Sequence, residues 1–256
     1  MIVGFMTLNL RFGLAADGEN AWDRRKESLA GIVCRHAVDF LAVQEANAFQ
    51  AAFLGQALQG WGMIGVREPA PRFWQNNVIF YAPGWGLESF RHFYLSPTPD
   101  TPSRFMESRW PRQCSLGVFS REGKTVAVAG THFDFAESVQ VRSARLVLKR
   151  LAEHRCPAVL MGDFNARPEG ACYGELTGAA CGLPEAAFKD VFDPGEPDFS
   201  AGTHHGFTGV PNPEKGRIDW ILYRGFRRLV EKEVIRDKAH GRYPSDHFPV
   251  KALFEI

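Results

Sequence analysis

The chain has 256 residues, 45% of them hydrophobic and 23% charged, which is ordinary for a globular protein and enough to bury a core without disulfides. Thirty Lys and Arg oppose 29 Asp and Glu, and the resulting net charge of +1 excludes a strongly basic nucleic-acid coat or an acidic tail while permitting a local basic patch. The cysteines (Cys34, Cys114, Cys156, Cys172 and Cys181) form no CxxC pair, which argues against a disulfide framework or zinc ribbon and for a reducing, cytoplasmic setting.

The chain opens on a strand pattern, Ile2–Leu8, rather than on the basic start of a signal peptide. Asp23–His36 sets Leu29, Ile32 and Val33 on one side of a predicted helix, strand Phe40–Val43 follows, and Phe49–Leu58 reads as a shorter helix. Pro69–Pro111 is dense in proline and aromatic residues with Arg72, Arg91, Arg104 and Arg109 among them, and its prolines predict loops and edge strands rather than a separate unit. Strands are predicted at Val78–Tyr81, Val118–Phe119 and Val126–Ala129. In Glu137–Glu153, Val141, Ala144, Leu148 and Leu151 recur at helical spacing. Strands Val159–Met161, Ile218–Leu222 and Phe248–Phe254 complete the set. No apolar run approaches the ~18–20 residues of a membrane span. With no repeat and no linker, the pattern predicts one domain over residues 1–256, a mixed α+β sandwich.

Short polar residues fall at the ends of these apolar runs. Asn9 follows the first strand and Glu45 the second; His132 and Asp134 follow Val126–Thr131; Asp163 and Asn165 follow Val159–Met161. Asp219 lies inside Ile218–Leu222, and Asp246-His247 precede Phe248. Singly, each has an ordinary explanation: a turn for Asn9 or the Gly162–Asn165 stretch, a helix cap for Glu45, a structural histidine for His247. Asp219 is harder to explain so, because a charge in an apolar run is rarely buried without a partner. Together they point to chemistry. Carboxylates and amides without thiolates suit a hard cation such as Mg²⁺ or Mn²⁺, and an imidazole beside them suits phosphoester hydrolysis.

The segments Thr7–Arg11, Val43–Glu45, Gly130–Asp134, Gly162–Asn165, Arg217–Trp220 and Ser245–Val250, in that order, resemble the metal-dependent endonuclease/exonuclease/phosphatase superfamily. The resemblance is nearest to its bacterial hydrolases, which share a Gly-Thr…His-Gly-Phe-x-Gly stretch, here Gly202 to Gly209. It implies a DNase-I-like fold: a four-layer α/β sandwich, two mixed β-sheets packed face to face with helices outside and the site at one edge. It also implies roles. Glu45 would be the principal metal ligand, with Asn9 and Asp246 completing the metal environment. Asp163 would orient or deprotonate the attacking water, and Asn165 would hold it or the phosphate. Asp219 would hydrogen-bond His247, leaving the other ring nitrogen for a phosphoryl oxygen, and His132 would donate to the phosphate or leaving oxygen. Arg11, Arg112 and His205 would bind substrate.

The sequence departs from that pattern at two positions. Phe135 stands where close relatives carry a second histidine, which His204 or His205 would replace. Arg11 stands where some nucleases carry an acid, which favours one tightly bound metal over two. The implied activity is a Mg²⁺- or Mn²⁺-dependent phosphoesterase acting on a phosphorylated small molecule or short phosphodiester. Phe73, Trp74 and Trp110 would wall the cleft, and Arg72, Arg109 or Arg112 would anchor a phosphate. A DNA or RNA nuclease is the alternative, and a non-catalytic binding scaffold a more remote one. The sequence is silent on oligomeric state.

Overall fold

The computed structural model describes residues 1–36, 38–178 and 187–256. Twelve strands form two six-stranded sheets among these residues. The first contains β1 (Ile2–Asn9), β2 (Phe40–Ala46), β3 (Gly62–Ile64), β4 (Asn76–Tyr81), β11 (Arg228–Val234) and β12 (Val250–Glu255), in the order β11-β12-β1-β2-β4-β3. The second contains β5 (Gly86–Tyr94), β6 (Gln113–Arg121), β7 (Lys124–His132), β8 (Ala158–Asp163), β9 (Lys189–Asp190) and β10 (Asp219–Arg224), in the order β5-β6-β7-β8-β10-β9. Both sheets are mixed: β1 with β2 and β7 with β8 are parallel, and the other pairings are antiparallel. Each parallel pair is joined by a helical crossover, α1 (Trp22–Arg35) or α3 (Glu137–Ala152). The shorter helices are α2 (Ala48–Ala57), α4 (Ala171–Thr177) and α5 (Asp198–Ala201).

Three apolar clusters make the layers. Val3, Phe5, Phe40, Ala42, Val126, Val128, Val159, Met161 and Ile221 pack between the sheets. Met6, Leu8, Leu41 and Val43 face the other way, onto Leu29, Ile32 and Val33 of α1 and onto α2. Ala127, Ala129, Leu160 and Leu222 face Ala144, Val147, Leu148 and Leu151 of α3. Odd residues of β1, β8 and β10 and even residues of β7 therefore point between the sheets, as strand alternation requires. This is the four-layer sandwich expected from the sequence.

The element boundaries differ mainly where polarity hides a strand. The Val118–Phe119 run is the middle of the nine-residue β6. Strand β12 starts at Val250, not Phe248, because the Phe248 N–H donates to the Thr203 carbonyl at 2.7 Å instead of to a sheet neighbour. Within Pro69–Pro111, β5 is an exposed edge strand as expected, but β4 is buried between β2 and β3. Cys114 and Cys172 fill the core, Cys34 is exposed and Cys156 half-buried; all four are free thiols, and Cys181 lies outside the described residues. No helix among the described residues is long and apolar enough to cross a membrane.

Candidate active site

Strand parity and register deliver most of the polar residues to one place. His132 and Asp163 are register partners at the ends of parallel β7 and β8, and Asp219 partners Asp163 across antiparallel β8 and β10. All three side chains therefore share the inter-sheet face at one end of the second sheet. Asn9, at the end of β1, arrives on the same face of the first sheet, and its amide nitrogen donates to Asp163 Oδ2 at 3.0 Å and to Glu45 Oε1 at 3.2 Å.

Glu45 has the wrong parity: its neighbours Leu41 and Val43 face the helices. A positive φ of 57° and a register shift between Val43 and Ala46 break the alternation and turn the carboxylate inward, where Oε2 accepts from the Phe12 N–H at 2.7 Å. Such a conformation costs a non-glycine residue about 1–3 kcal/mol and is retained where its surroundings over-determine it. Gly162, one residue before Asp163, is required by close approach: a Cβ there would lie 1.9 Å from the Thr131 carbonyl oxygen.

Two loops close the set. Asp246 and His247 precede β12, and the Ser245 hydroxyl donates to the Asn9 carbonyl at 2.6 Å, tying that loop to the end of β1. His247 Nδ1 meets Asp219 Oδ2 at 2.8 Å, and its Nε2 lies 4.0 Å from Asp163 Oδ2. Burial alone would push the His247 ring down, but Asp219, Asp246 and Asp163 outweigh it and hold the ring charged, with a pKa of about 10. For Asp246 too, burial opposes ionisation, yet His247, Arg11 and His204 hold its carboxyl below the usual range. Asp163, 2% exposed, is raised by burial and by Asp219, with His247, Asn9 and the Asn165 N–H pulling the other way.

Several expected residues stand differently from their sequence-derived roles. The Asn9 oxygen accepts from the Arg11 N–H at 2.8 Å, so its nitrogen, not its oxygen, faces the carboxylates. His132 Nε2 lies 2.9 Å from the Asn165 amide nitrogen, which also donates to the Phe133 carbonyl. The amide must donate to both, so Nε2 is an acceptor, and burial together with Arg112 and His247 holds the ring neutral, well below the ordinary range. The neutral ring then carries its proton on Nδ1, which is the nitrogen left to donate. His205, expected to bind substrate, is 2% exposed and stacked 3.9 Å from Phe248, with Nδ1 accepting from the Gly209 N–H. Its neighbour His204 joins the site instead. It pairs with His247 across an isolated bridge, and its ring meets the His247 ring edge-on at 4.9 Å. Alternation in the extended Thr203–His205 segment was the signal: Thr203 and His205 point inward, so His204 points outward.

Both candidate substrate arginines flank the cluster. Arg11 is clamped by Asp17 through two bonds of 2.9 and 2.8 Å and presents Nη1 3.8 Å from Asp246 Oδ2. Arg112 is buried with Nε 3.6 Å from Asp134 Oδ2. Arg25 was not anticipated. It is fully buried on α1 and donates to the carbonyls of Arg11, Asn20 and Pro244, so one guanidinium ties together the loops that carry Asn9 and Asp246. Gln140 on α3 does the same for the other sheet, donating to the carbonyls of Asp134 and Asn165.

A cavity of about 440 Å³ adjoins the cluster, lined by Glu45, His132 and Arg112 on one side and by Phe12, Phe73, Trp74 and Trp110 among others. The Pro69–Pro111 segment thus contributes walls as expected.

The donor set fits a hard divalent cation. Asp163, Asp219 and Asp246 are buried beside the half-buried Glu45, and no cysteine is among them. Asp163 and Asp219 bring carboxylate oxygens within 4.8 Å of each other, and Asp219 Oδ1 is buried without a hydrogen-bond partner, whereas His247, held cationic, offers no lone pair to a metal.

Comparison with known proteins gives the family. The Endonuclease/Exonuclease/phosphatase family matches residues 6–247. No curated protein matches the sequence significantly. Among solved structures, an endonuclease/exonuclease/phosphatase from Bacteroides vulgatus is similar, with a TM-score of 0.87 at 24% identity over 100% of this chain and 99% of that one. A mannosyl-6-phosphatase from Bacteroides thetaiotaomicron VPI-5482 is similar at 26% identity, with a TM-score of 0.86 over 99% of this chain and 100% of the other. Truncated TDP2 from Caenorhabditis elegans shares the fold, with a TM-score of 0.77 at 18% identity over 100% and 98% of the chains. The chain belongs to the Endonuclease/Exonuclease/phosphatase family and is a phosphoester hydrolase.

Proposed function

We propose that this hydrolase cleaves a small or short phosphoester with the help of one bound Mg²⁺ or Mn²⁺. The observation that carries the size of the substrate is the cavity of about 440 Å³ that joins Glu45, His132 and Arg112 to aromatic walls. A walled pocket accepts one alcohol residue, whereas a duplex needs an extended basic groove, and the net charge of +1 supplies no long-range field to steer a polyanion. The similarity to a mannosyl-6-phosphatase at 26% identity supports a small substrate in the same way.

In this reading Glu45 is the principal ligand and Asp246 completes the metal's surroundings, while Asn9 holds Glu45 and Asp163 at fixed separation through its amide nitrogen. The bound cation supplies charge neutralisation at the phosphoryl oxygens and lowers the pKa of water. Asp163 orients the attacking water and accepts its proton, and the Asn165 backbone N–H donates to its Oδ1 at 2.9 Å from the adjacent turn. Asp219 orients the His247 ring and keeps it cationic, so that Nε2–H stabilises the charge growing on a phosphoryl oxygen. His132, neutral and accepting from Asn165, positions that amide. Arg11 and Arg112 face the substrate phosphate from the two sides of the cluster.

The test is kcat/KM for a short phosphodiester and for plasmid DNA with Mg²⁺ or Mn²⁺ across ~50 to 200 mM salt. The small substrate should be preferred with a shallow salt dependence. Efficient plasmid cleavage that collapses steeply with salt would overturn this reading in favour of a nuclease.

A further inference from the structure

The cavity beside Glu45 is polar at its reactive end and apolar elsewhere. Phe12, Phe73, Trp74, Trp110 and Pro111 form its walls. The amides that also line it are largely committed: Asn77 donates to the Gln113 carbonyl at 2.7 Å, and the Gln113 amide donates to the Gln75 carbonyl at 3.1 Å. Trp74 Nε1 and Gln113 Oε1 are shielded from solvent and have no hydrogen-bond partner. Arg112 is drawn toward Asp134. Outside the reactive end, Gln75 adds one more polar side chain to a lining that is otherwise mostly apolar.

On the phosphoesterase reading above, we propose that the alcohol half of the substrate is an apolar ring and not a polyhydroxylated sugar. A sugar ring carries a hydroxyl on nearly every carbon, and each one stripped of water without a protein partner is penalised. These walls would leave most of them unmet. A flat apolar ring loses nothing by desolvation and gains stacking area on Trp110 and Phe73. Those two side chains are 54% and 61% exposed, which is a poor use of large aromatics unless something covers them. Arginines stiffen the walls: the Arg67 guanidinium lies 4.4 Å from the Trp74 ring and that of Arg109 5.2 Å from the Trp110 ring. The chain would thus differ in substrate from the mannosyl-6-phosphatase whose fold it shares.

The decisive comparison uses 2-phenylethyl phosphate and mannose 6-phosphate, both esters of primary alcohols, so that leaving-group reactivity is matched. Hydrolysis is measured with Mg²⁺ and Mn²⁺, and binding of the two corresponding non-hydrolysable phosphonates by calorimetry. The expected result is a preference of at least about tenfold for the phenylethyl compound in both measurements. In Trp110→Ala and Phe73→Ala, whose exposure keeps them out of the core, the preference should narrow severalfold, through KM rather than kcat. Equal or reversed preference, or a preference unchanged in both variants, would overturn the proposal. If neither monoester nor a short phosphodiester turns over, the phosphoesterase reading fails, while phosphonate binding still decides whether the pocket selects an apolar ring.

Discussion

Asn9 and Asp163 belong to different sheets, yet the Asn9 amide nitrogen lies 3.0 Å from Asp163 Oδ2. The same nitrogen reaches Glu45, so a single side chain couples the end of β2 in one sheet to the end of β8 in the other. Asn9→Ala should lower activity about 10–100-fold, the range for groups that orient ligands, while leaving the fold intact. Steady-state kinetics beside a thermal melt tests this: unchanged kcat with an unchanged melt would rule out the coupling.

Glu45→Gln keeps the shape and removes the charge. The concentration of Mg²⁺ giving half-maximal rate should rise by at least about tenfold, since even outer-shell changes cost that much. A titration matching the wild-type curve would remove Glu45 from the ligand set.

Asp219 and His247, 2.8 Å apart, should act as one unit. His247→Ala should cost roughly 10²–10³ in turnover, and the double variant should be little worse than His247→Ala alone. Losses that multiply across Asp219→Ala, His247→Ala and the double variant would show that the two act independently.

His205 links stability to pH. Burial pushes its ring down to about 4, although Asp246 pulls the other way. The unfolded ring titrates at its ordinary ~6.5, so the folded state binds the proton less well than the unfolded state does. Stability from this source is complete above pH ~6.5 and is lost as pH falls from there toward 4, by up to tenfold in the folding equilibrium per unit. Urea denaturation in EDTA from pH 7 to 4 should show a smaller decline in His205→Phe than in wild type. An identical slope in the two proteins would contradict the assignment.

Much of the site was legible because strand ends and motif spacing coincide. The parity of apolar residues in β1, β7, β8 and β10 continues directly into Asn9, His132, Asp163 and Asp219, so one pattern gives both the core and the chemistry. What stayed hidden depends on geometry that pattern does not encode. The inward turn of Glu45 needs a positive φ that no glycine announces. The choice of His204 over His205 turns on which way an irregular segment faces. The acceptor state of His132 Nε2 follows from the Asn165 amide nitrogen donating to two acceptors, which only contact distances reveal. Arg25 sits among the charged residues that begin α1 and reads there as solvated surface, yet it is buried across the loops. Strands β9 and β11 escaped because their short or polar, largely exposed sequences carry no apolar run.

The two-sheet origin of the site has a consequence for how the protein loses activity. Asn9 and Glu45 ride on one sheet, and His132, Asp163 and Asp219 on the other, with the inter-sheet core as their joint support. The reactive arrangement therefore has no existence apart from the closed sandwich. Loops that carry no site residue are free to diversify, whereas any slippage of one sheet over the other breaks the Asn9–Asp163 and Asp219–His247 contacts together, so catalysis serves as a reporter of sheet docking, and a fragment carrying either sheet alone would be silent.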